Sequence, residues 1–204
     1  MKRIAIGLTL FLWMLVAGAA DLTAQQASTL KTAIQANGTC SPMFTAGDDV
    51  GAAACMNTVD AAFYVWRTDV PVQAIYDNVV WANMTPADTP DGTALFTNRA
   101  LACQGKQFNL QTMLQGRSTI NATINTLRNG LQDSLTNLPC GAGGAVVSAG
   151  WVGVRDTALK RLARLWEKAL ANTAGGNGAL ATPAVPVLEG VLSANDIITI
   201  RAAQ

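Results

Sequence analysis

The chain has 204 residues, of which half are hydrophobic and 13% are charged, and its formal net charge is +1. This composition excludes an intrinsically disordered chain, which needs low hydrophobicity and high net charge. Histidine is absent, which excludes histidine zinc ligands, Ser-His-Asp and Cys-His nucleophile pairs and histidine general bases. The length suits one ordinary domain or, at most, two small ones.

The first 20 residues have the pattern of a secretory signal peptide. Residues 1–3 form a basic start, residues 4–16 carry no charge, and small residues end the segment. The apolar run is shorter than the roughly 20 residues of a spanning helix, which disfavours a membrane anchor. A second interpretation is translated upstream sequence before a true start at Met14. In both cases we expect one helical domain over residues 21–204, with no membrane span.

Apolar periodicity along the rest of the chain predicts a mainly α fold, a compact bundle of about five to seven helices around one core. The predicted helices span residues 23–36, 48–63, 69–82, 94–115, 118–138, 145–172 and 193–203. Residues 64–67 either extend the second helix or form a short strand. Loops are predicted over residues 40–47 and 84–93, and residues 181–188, with two prolines, should be extended.

The four cysteines, Cys40, Cys55, Cys103 and Cys140, contain no C-x-x-C pair, so neither a zinc knuckle nor a thioredoxin-like motif is indicated. Their even number permits two disulfides in an oxidising compartment, with three pairings open. Cys55 and Cys103 lie on apolar helical stripes, where thiols are usually buried. Cys40 and Cys140 lie in predicted loops and are the pair we expect. In a reducing cytoplasm we expect four free thiols.

The sequence contains only weak candidates for catalytic or ligand-binding motifs. The Gly-rich joint Cys140–Gly144 invites a phosphate-loop interpretation, but it lacks the lysine and hydroxyl residue of that motif and follows no buried strand. Asp48 and Asp49 are adjacent carboxylates best explained by the positive end of a helix. No acid/base dyad, metal cluster or nucleophile elbow is recognisable. We therefore expect no enzyme, no cofactor and no metal site.

The predicted helix after the Gly-rich joint carries a basic face, formed by Lys160, Arg161, Arg164 and Lys168. Such a face binds an acidic protein, nucleic acid or a membrane surface, or is simply solvated. Four cations make too small a patch for specific nucleic-acid recognition. Charge is also uneven: residues 21–100 hold three basic and eight acidic residues, and residues 101–204 hold nine and five. This asymmetry suits contacts between unlike surfaces of neighbouring copies, or is only surface charge.

Several stretches in the second and later parts of the chain have distinctive sequences. They are Val65–Pro71 (VWRTDVP), Thr97–Gln107 (TNRALACQGKQ), Gly130–Asn137 (GLQDSLTN), Gly141–Gly144 and Leu188–Ser193 (LEGVLS), with Asp196. These stretches resemble a family of tailed-bacteriophage and prophage virion morphogenesis proteins. The resemblance covers about residues 63 to 201, whereas members of that family begin near residue 21 without a signal.

The resemblance implies a non-enzymatic structural or assembly protein of the head–tail junction or tail, present in the virion and in the host cytoplasm during assembly. Its partners would be other virion proteins, with a homo-oligomeric ring as the expected assembly. The alternative is an exported helical binding protein with disulfides, periplasmic or secreted, if the N-terminal signal is real.

Overall fold

The computed structural model describes residues 22–88 and 93–204. The signal-like segment predicted over residues 1–20 lies outside the described residues. The described chain forms two compact units. The first joins residues 22–55 to residues 189–204, and the second comprises residues 56–188. The expectation of a single domain over residues 21–204 stays a prediction.

Helices predominate in the described ranges, as the sequence predicts, and two small sheets accompany them. The helices are α1 (Ala24–Ala36), α2 (Ser41–Ala46), α3 (Asp49–Met56), α4 (Val72–Tyr76), α5 (Ala94–Leu114), α6 (Asn125–Leu135), α7 (Trp151–Gly153), α8 (Leu165–Leu170) and α9 (Ala194–Ala202). The strands are β1 (Val59–Trp66), β2 (Val70–Pro71), β3 (Thr119–Ile120) and β4 (Lys160–Arg164). Short 3₁₀ turns cover Trp81–Met84 and Ala142–Gly144, and a π-helical turn over Val154–Ala158 continues α7.

The first unit is built from α1, α2, α3 and α9, and α1, α3 and α9 begin within a residue of their predicted starts. The loop predicted over residues 40–47 is wrong, since Ser41–Ala46 form α2, with Pro42 in its first turn. The Thr23 hydroxyl accepts from the Gln26 N–H at 3.2 Å, and the Gln26 side chain accepts from the Thr23 N–H at 2.9 Å. Ser193 begins α9 with the same reciprocal pattern, using Asp196. Both are capping boxes, which satisfy backbone donors that the first turn of a helix leaves unpaired. Helix α1 packs against both α2 and α9.

The second unit contains both sheets, and these replace parts of four predicted helices. Strand β1 pairs antiparallel with β4, and β2 pairs antiparallel with β3. The helix predicted over residues 48–63 therefore ends at Met56, and β1 follows, rich in the β-branched and aromatic residues that favour strands. The helix predicted over residues 69–82 is divided into β2, α4 and a 3₁₀ turn. The helix predicted from residue 118 begins only at Asn125, because Thr119 and Ile120 pair with β2.

The long helix predicted over residues 145–172 does not form. Gly150 has φ +93°, a left-handed conformation that interrupts a right-handed helix. A Cβ atom there would lie 2.7 Å from the carbonyl oxygen of Asn78, so this glycine also permits a close backbone approach. Beyond it, α7 and its π-helical turn end at Ala158, residues 160–164 extend and pair with β1, and α8 follows.

A large hydrophobic core lies in the second unit, and α5 and α6 supply much of it, while Val65, Ala163 and Ala184 form a separate small cluster. The predicted stripe of α6 is buried at Leu131 and Leu135 and continues to Leu138, whereas Leu127 is half-buried. Cys103, Leu110 and Leu114 form the buried face of α5. Other fully buried members are Val70, Ile75, Met84, Val154 and Leu159. Within the described ranges, no helix is long and apolar enough to cross a membrane.

Candidate functional site

The predicted basic face is not a helix face. Lys160, Arg161 and Arg164 lie on strand β4, and Lys168 lies on α8, which follows at once. The helical prediction is wrong here because β4 pairs with a strand about 100 residues earlier in the chain, a contact that local periodicity does not contain. Binding of a partner by these four residues stays a prediction.

Each of the four cations has a carboxylate partner within the second unit. Lys160 Nζ lies 2.6 Å from Asp156 Oδ1, and Lys168 Nζ lies 2.7 Å from Asp60 Oδ2. Arg161 donates to both oxygens of Glu167, at 2.7 and 2.9 Å. The Glu167 side chain is fully buried and also accepts from the Arg164 backbone N–H at 2.8 Å. These ion pairs therefore stabilise the junction between β4 and α8.

Two of these carboxyl groups have shifted pKa values. The hydrogen bond from the Arg155 guanidinium, supported by Lys160, lowers the pKa of Asp156 to about 2, against the opposing effect of burial. The hydrogen bond from Lys168, together with the Ala62 backbone N–H, lowers the pKa of Asp60. Both carboxyl groups are consequently ionised in the folded protein at neutral pH.

The cysteines form two disulfides, Cys40–Cys55 and Cys103–Cys140. The predicted Cys40–Cys140 pair is wrong. Cys40 precedes α2 and its Cα atom lies 5.5 Å from that of Cys55 in the last turn of α3, whereas Cys103 on α5 lies 5.2 Å from Cys140. Both spacings are within the usual disulfide range. The apolar stripes correctly indicated that Cys55 and Cys103 are buried, but buried half-cystines leave the same pattern as buried thiols.

The Gly-rich joint already holds an anionic group of its own chain. The Gly143 N–H donates to the Asp88 carboxylate at 2.5 Å, and the same carboxylate pairs with Arg99 at 2.8 Å. Likewise, Asp48 accepts from the Gly51 N–H at 2.8 Å at the start of α3, and Asp49 pairs with Arg201 at 2.7 Å. The Asp88 carboxylate thus stabilises the Gly-rich joint. Asp48 and Asp49 lie at the start of α3, as the sequence predicts for this pair.

Two of the stretches that carry the resemblance, Thr97–Gln107 and Gly130–Asn137, contact each other in the second unit. Lys106 Nζ lies 2.7 Å from Asp133 Oδ1, which joins α5 to α6. The Cys103–Cys140 disulfide joins α5 to the chain just before the Gly-rich joint. These bonds therefore hold α5 in place within the second unit.

The outer face of α5 is formed by Leu101, Gly105 and Phe108. Leu101 is 60% exposed and Phe108 is 67% exposed. The spacings of four and three residues place the three positions on one side of the helix, opposite the buried Leu110. No heavy atom outside its chain neighbours and local helix backbone would lie within 4 Å of a Cβ atom at Gly105. The sequence analysis missed this face because apolar residues lie on both sides of α5.

A polar groove of about 270 Å³ lies elsewhere on the second unit, between α6 and the turn that follows α7. Its lining includes Trp66, Arg128, Gln132, Trp151 and Arg155. Arg128 is only 7% exposed, and its guanidinium carbon lies 4.5 Å from the centre of the Trp66 ring. This groove could not be predicted from the sequence, since its residues come from four separate segments. The local sequence signal for the groove is Arg128, an arginine beside the apolar stripe of α6.

No family model, no curated protein and no solved structure matches the chain. Across residues 22–88 and 93–204, no cluster of three or more histidine, cysteine, aspartate or glutamate residues is placed to hold a metal ion.

Proposed function

We propose that this chain is a non-enzymatic structural or assembly protein of a bacteriophage virion, at the head–tail junction or in the tail. It acts through contacts with other virion proteins or with further copies of itself in a ring. The observation that carries the proposal is the outer face of α5, since two of its three residues belong to the stretch Thr97–Gln107 that resembles virion proteins.

Gly105 supports a role for this face beyond folding. Glycine inside a helix costs about 1 kcal/mol relative to alanine. The space around Gly105 is open, so no described part of this chain requires a glycine at this position. A partner that approaches the helix backbone closely would require it. Leu101 and Phe108 flank the gap and would each contribute about 1.5–3 kcal/mol if a partner buried them fully.

Contacts within the second unit support a scaffold role for the other residues in the stretches that carry the resemblance. A disulfide and an ion pair fix α5 against its neighbours, so the outer face is presented on a rigid helix. A rigid surface loses little conformational entropy on binding, which favours assembly.

The direct test is the location of the protein. Host cells should be induced to release phage particles, and the particles purified by density gradient and digested for mass spectrometry. We expect peptides of this chain at a constant ratio to a known tail or portal protein. Their absence from particles, combined with their recovery from the periplasm, would overturn the proposal.

A second function, an exported disulfide-containing binding protein of the periplasm or medium, is favoured by one observation. All four cysteines form disulfides, and such bonds persist mainly in oxidising compartments. Alkylation of thiols in intact cells before lysis separates the two functions. An exported protein should resist alkylation completely, whereas a protein held in the cytoplasm should be labelled at all four cysteines.

A further inference from the structure

We propose that the groove lined by Arg128 and Trp66 is a binding site for a carboxylate group. The proposal goes beyond the virion role and does not depend on it, because it rests on the chemistry of the groove alone.

Arg128 is fixed in position by its surroundings. Its Nη1 donates to the Ala122 carbonyl oxygen at 2.5 Å, and its Nη2 donates to Asn125 Oδ1 at 3.1 Å. The guanidinium plane also stacks near the Trp66 ring. An arginine has five N–H donors, so these two bonds leave three. The side chain is therefore held in place with donors still available to an incoming acceptor.

The charge of Arg128 is not balanced within the described part of the chain. None of the described carboxylates forms an ion pair with it, and burial lowers its pKa from the ordinary arginine value. A buried, unpaired cation is costly unless something compensates it. Arginine nevertheless stays protonated in proteins. The groove thus contains a permanent positive charge at low exposure.

The opposite wall adds positive charge. Arg155 lines the groove and pairs with Asp156, but the same carboxylate also holds Lys160. Arg155 and Lys160 thus share one carboxylate, and Arg128 has no carboxylate partner among the described residues. The described lining of the groove contains no acidic residue. An anion entering the groove would therefore meet attraction from both walls.

Trp66 provides a second, independent indication. Its indole Nε1 is buried and finds no hydrogen-bond acceptor in the described chain, and the residue itself is 6% exposed. Tryptophan can only donate, and buried donors of native proteins nearly always have a partner. The ring forms part of the groove wall. An acceptor that reached Nε1 from the groove would supply the missing partner.

The donors match a carboxylate better than a nucleic-acid backbone. An arginine fork binds the two oxygens of a planar carboxylate side by side. Nucleic acid needs a track of exposed cations, whereas the neighbouring cations on β4 and α8 are paired with carboxylates. A small recess with one fork and amide groups at Asn125 and Gln132 suits one carboxylate, from a free acid or from a glutamate or aspartate of a protein.

The test is a titration of the ¹⁵N-labelled protein followed by NMR through its indole N–H signals, with Trp66 assigned by the Trp66→Phe variant. The probes are glutarate, the blocked peptide acetyl-Gly-Glu-Gly-amide, its glutamine counterpart, and inorganic phosphate. We expect the glutamate peptide or glutarate to shift the Trp66 signal saturably, and the glutamine peptide to bind at least tenfold more weakly. Saturation by glutarate alone indicates a free acid as the ligand, and preference for the peptide indicates a protein side chain.

Two variants and a control complete the design. Arg128→Met keeps the length of the side chain and removes its charge, and Arg128→Lys keeps the charge and removes the fork. Both should weaken binding at least tenfold. Arg117→Met removes an exposed arginine outside the groove and should leave binding unchanged. The proposal is overturned if no carboxylate probe saturates, if phosphate binds more tightly than both carboxylates, or if either folded Arg128 variant binds like the wild type.

Discussion

The Cys103–Cys140 disulfide should be the largest single covalent contribution to stability. Its cysteines are 37 residues apart, and chain-entropy arithmetic for a loop of that length gives about 4 kcal/mol at 25 °C. The Cys40–Cys55 bond closes a shorter loop, with a separation of 15 residues, and the same arithmetic gives about 3 kcal/mol. We therefore expect the paired change Cys103→Ala with Cys140→Ala to cost more than the paired change at Cys40 and Cys55.

Urea unfolding without reductant measures both losses. Far-UV circular dichroism follows the helices of both units, and tryptophan fluorescence follows the second unit, where Trp66, Trp81, Trp151 and Trp166 lie. The Cys40 and Cys55 variant is the matched control, since it also removes one disulfide. Reduced wild type should unfold like the variant that lacks all four cysteines. A loss below about 1 kcal/mol for the Cys103 and Cys140 variant, or no effect of reductant on the wild type, would refute the pairing.

Five further substitutions test the packing and the charges. Leu131→Ala should lower the free energy of unfolding in urea by about 2–5 kcal/mol, because the side chain is fully buried. Leu127→Ala should lower it less, because Leu127 is half-buried. Equal losses would contradict the orientation of α6. Glu167→Gln should cost about 1.5–3 kcal/mol, since it removes the charge of a fully buried carboxylate whose Arg161 partner is 30% exposed, and a loss below about 0.5 kcal/mol would exclude that burial. Asp156 has a folded pKa of about 2 against an ordinary 3.8, so it stabilises the fold above pH 3.8 by about 2 kcal/mol and loses this effect as the pH falls through about 2. The penalty of Asp156→Asn should accordingly shrink between pH 5 and pH 2, and a constant penalty would contradict the ion pair. Gly105→Ala should raise stability by about 0.5–1 kcal/mol, since the site is helical and open; destabilisation would show that the side of α5 is covered.

Helices whose signals are local could be predicted from the sequence. The capping residues Thr23, Thr93 and Ser193 precede α1, α5 and α9, and each begins within a residue of its predicted start. A cap and its first turn lie within four residues of chain, so nearby sequence determines them.

The strands could not be predicted in the same way. Strands β1 and β4 stabilise each other across about 100 residues, and Lys160–Arg164 also fits a helical spacing when taken alone. Short segments of this kind are decided by their partners, which periodicity does not identify. The long helix predicted through residue 150 failed for a related reason, since the left-handed glycine serves a contact with Asn78 far along the chain.

The candidate sites also divide into features that have a local sequence signal and features that only the fold shows. The sequence identified the cations of β4 and α8, but their carboxylate partners come from positions up to 108 residues away, and only the fold shows that the charges are paired. The cysteine pairing likewise needed three-dimensional proximity. The Arg128 groove gathers residues from separate segments and left almost no linear signal.

The central claim is that the outer face of α5 contacts another virion protein. Phe108 is exposed and aromatic, so the photoreactive analogue p-benzoylphenylalanine can replace it with little change in shape. Irradiation of assembling cells should produce a covalent adduct between position 108 and a second virion protein or a second copy of this chain. The same analogue at Val152, which is 59% exposed elsewhere on the second unit, is the control and should not give that adduct. Particles that contain the substituted chain but yield no adduct at position 108, or the same adducts from both positions, would contradict the account.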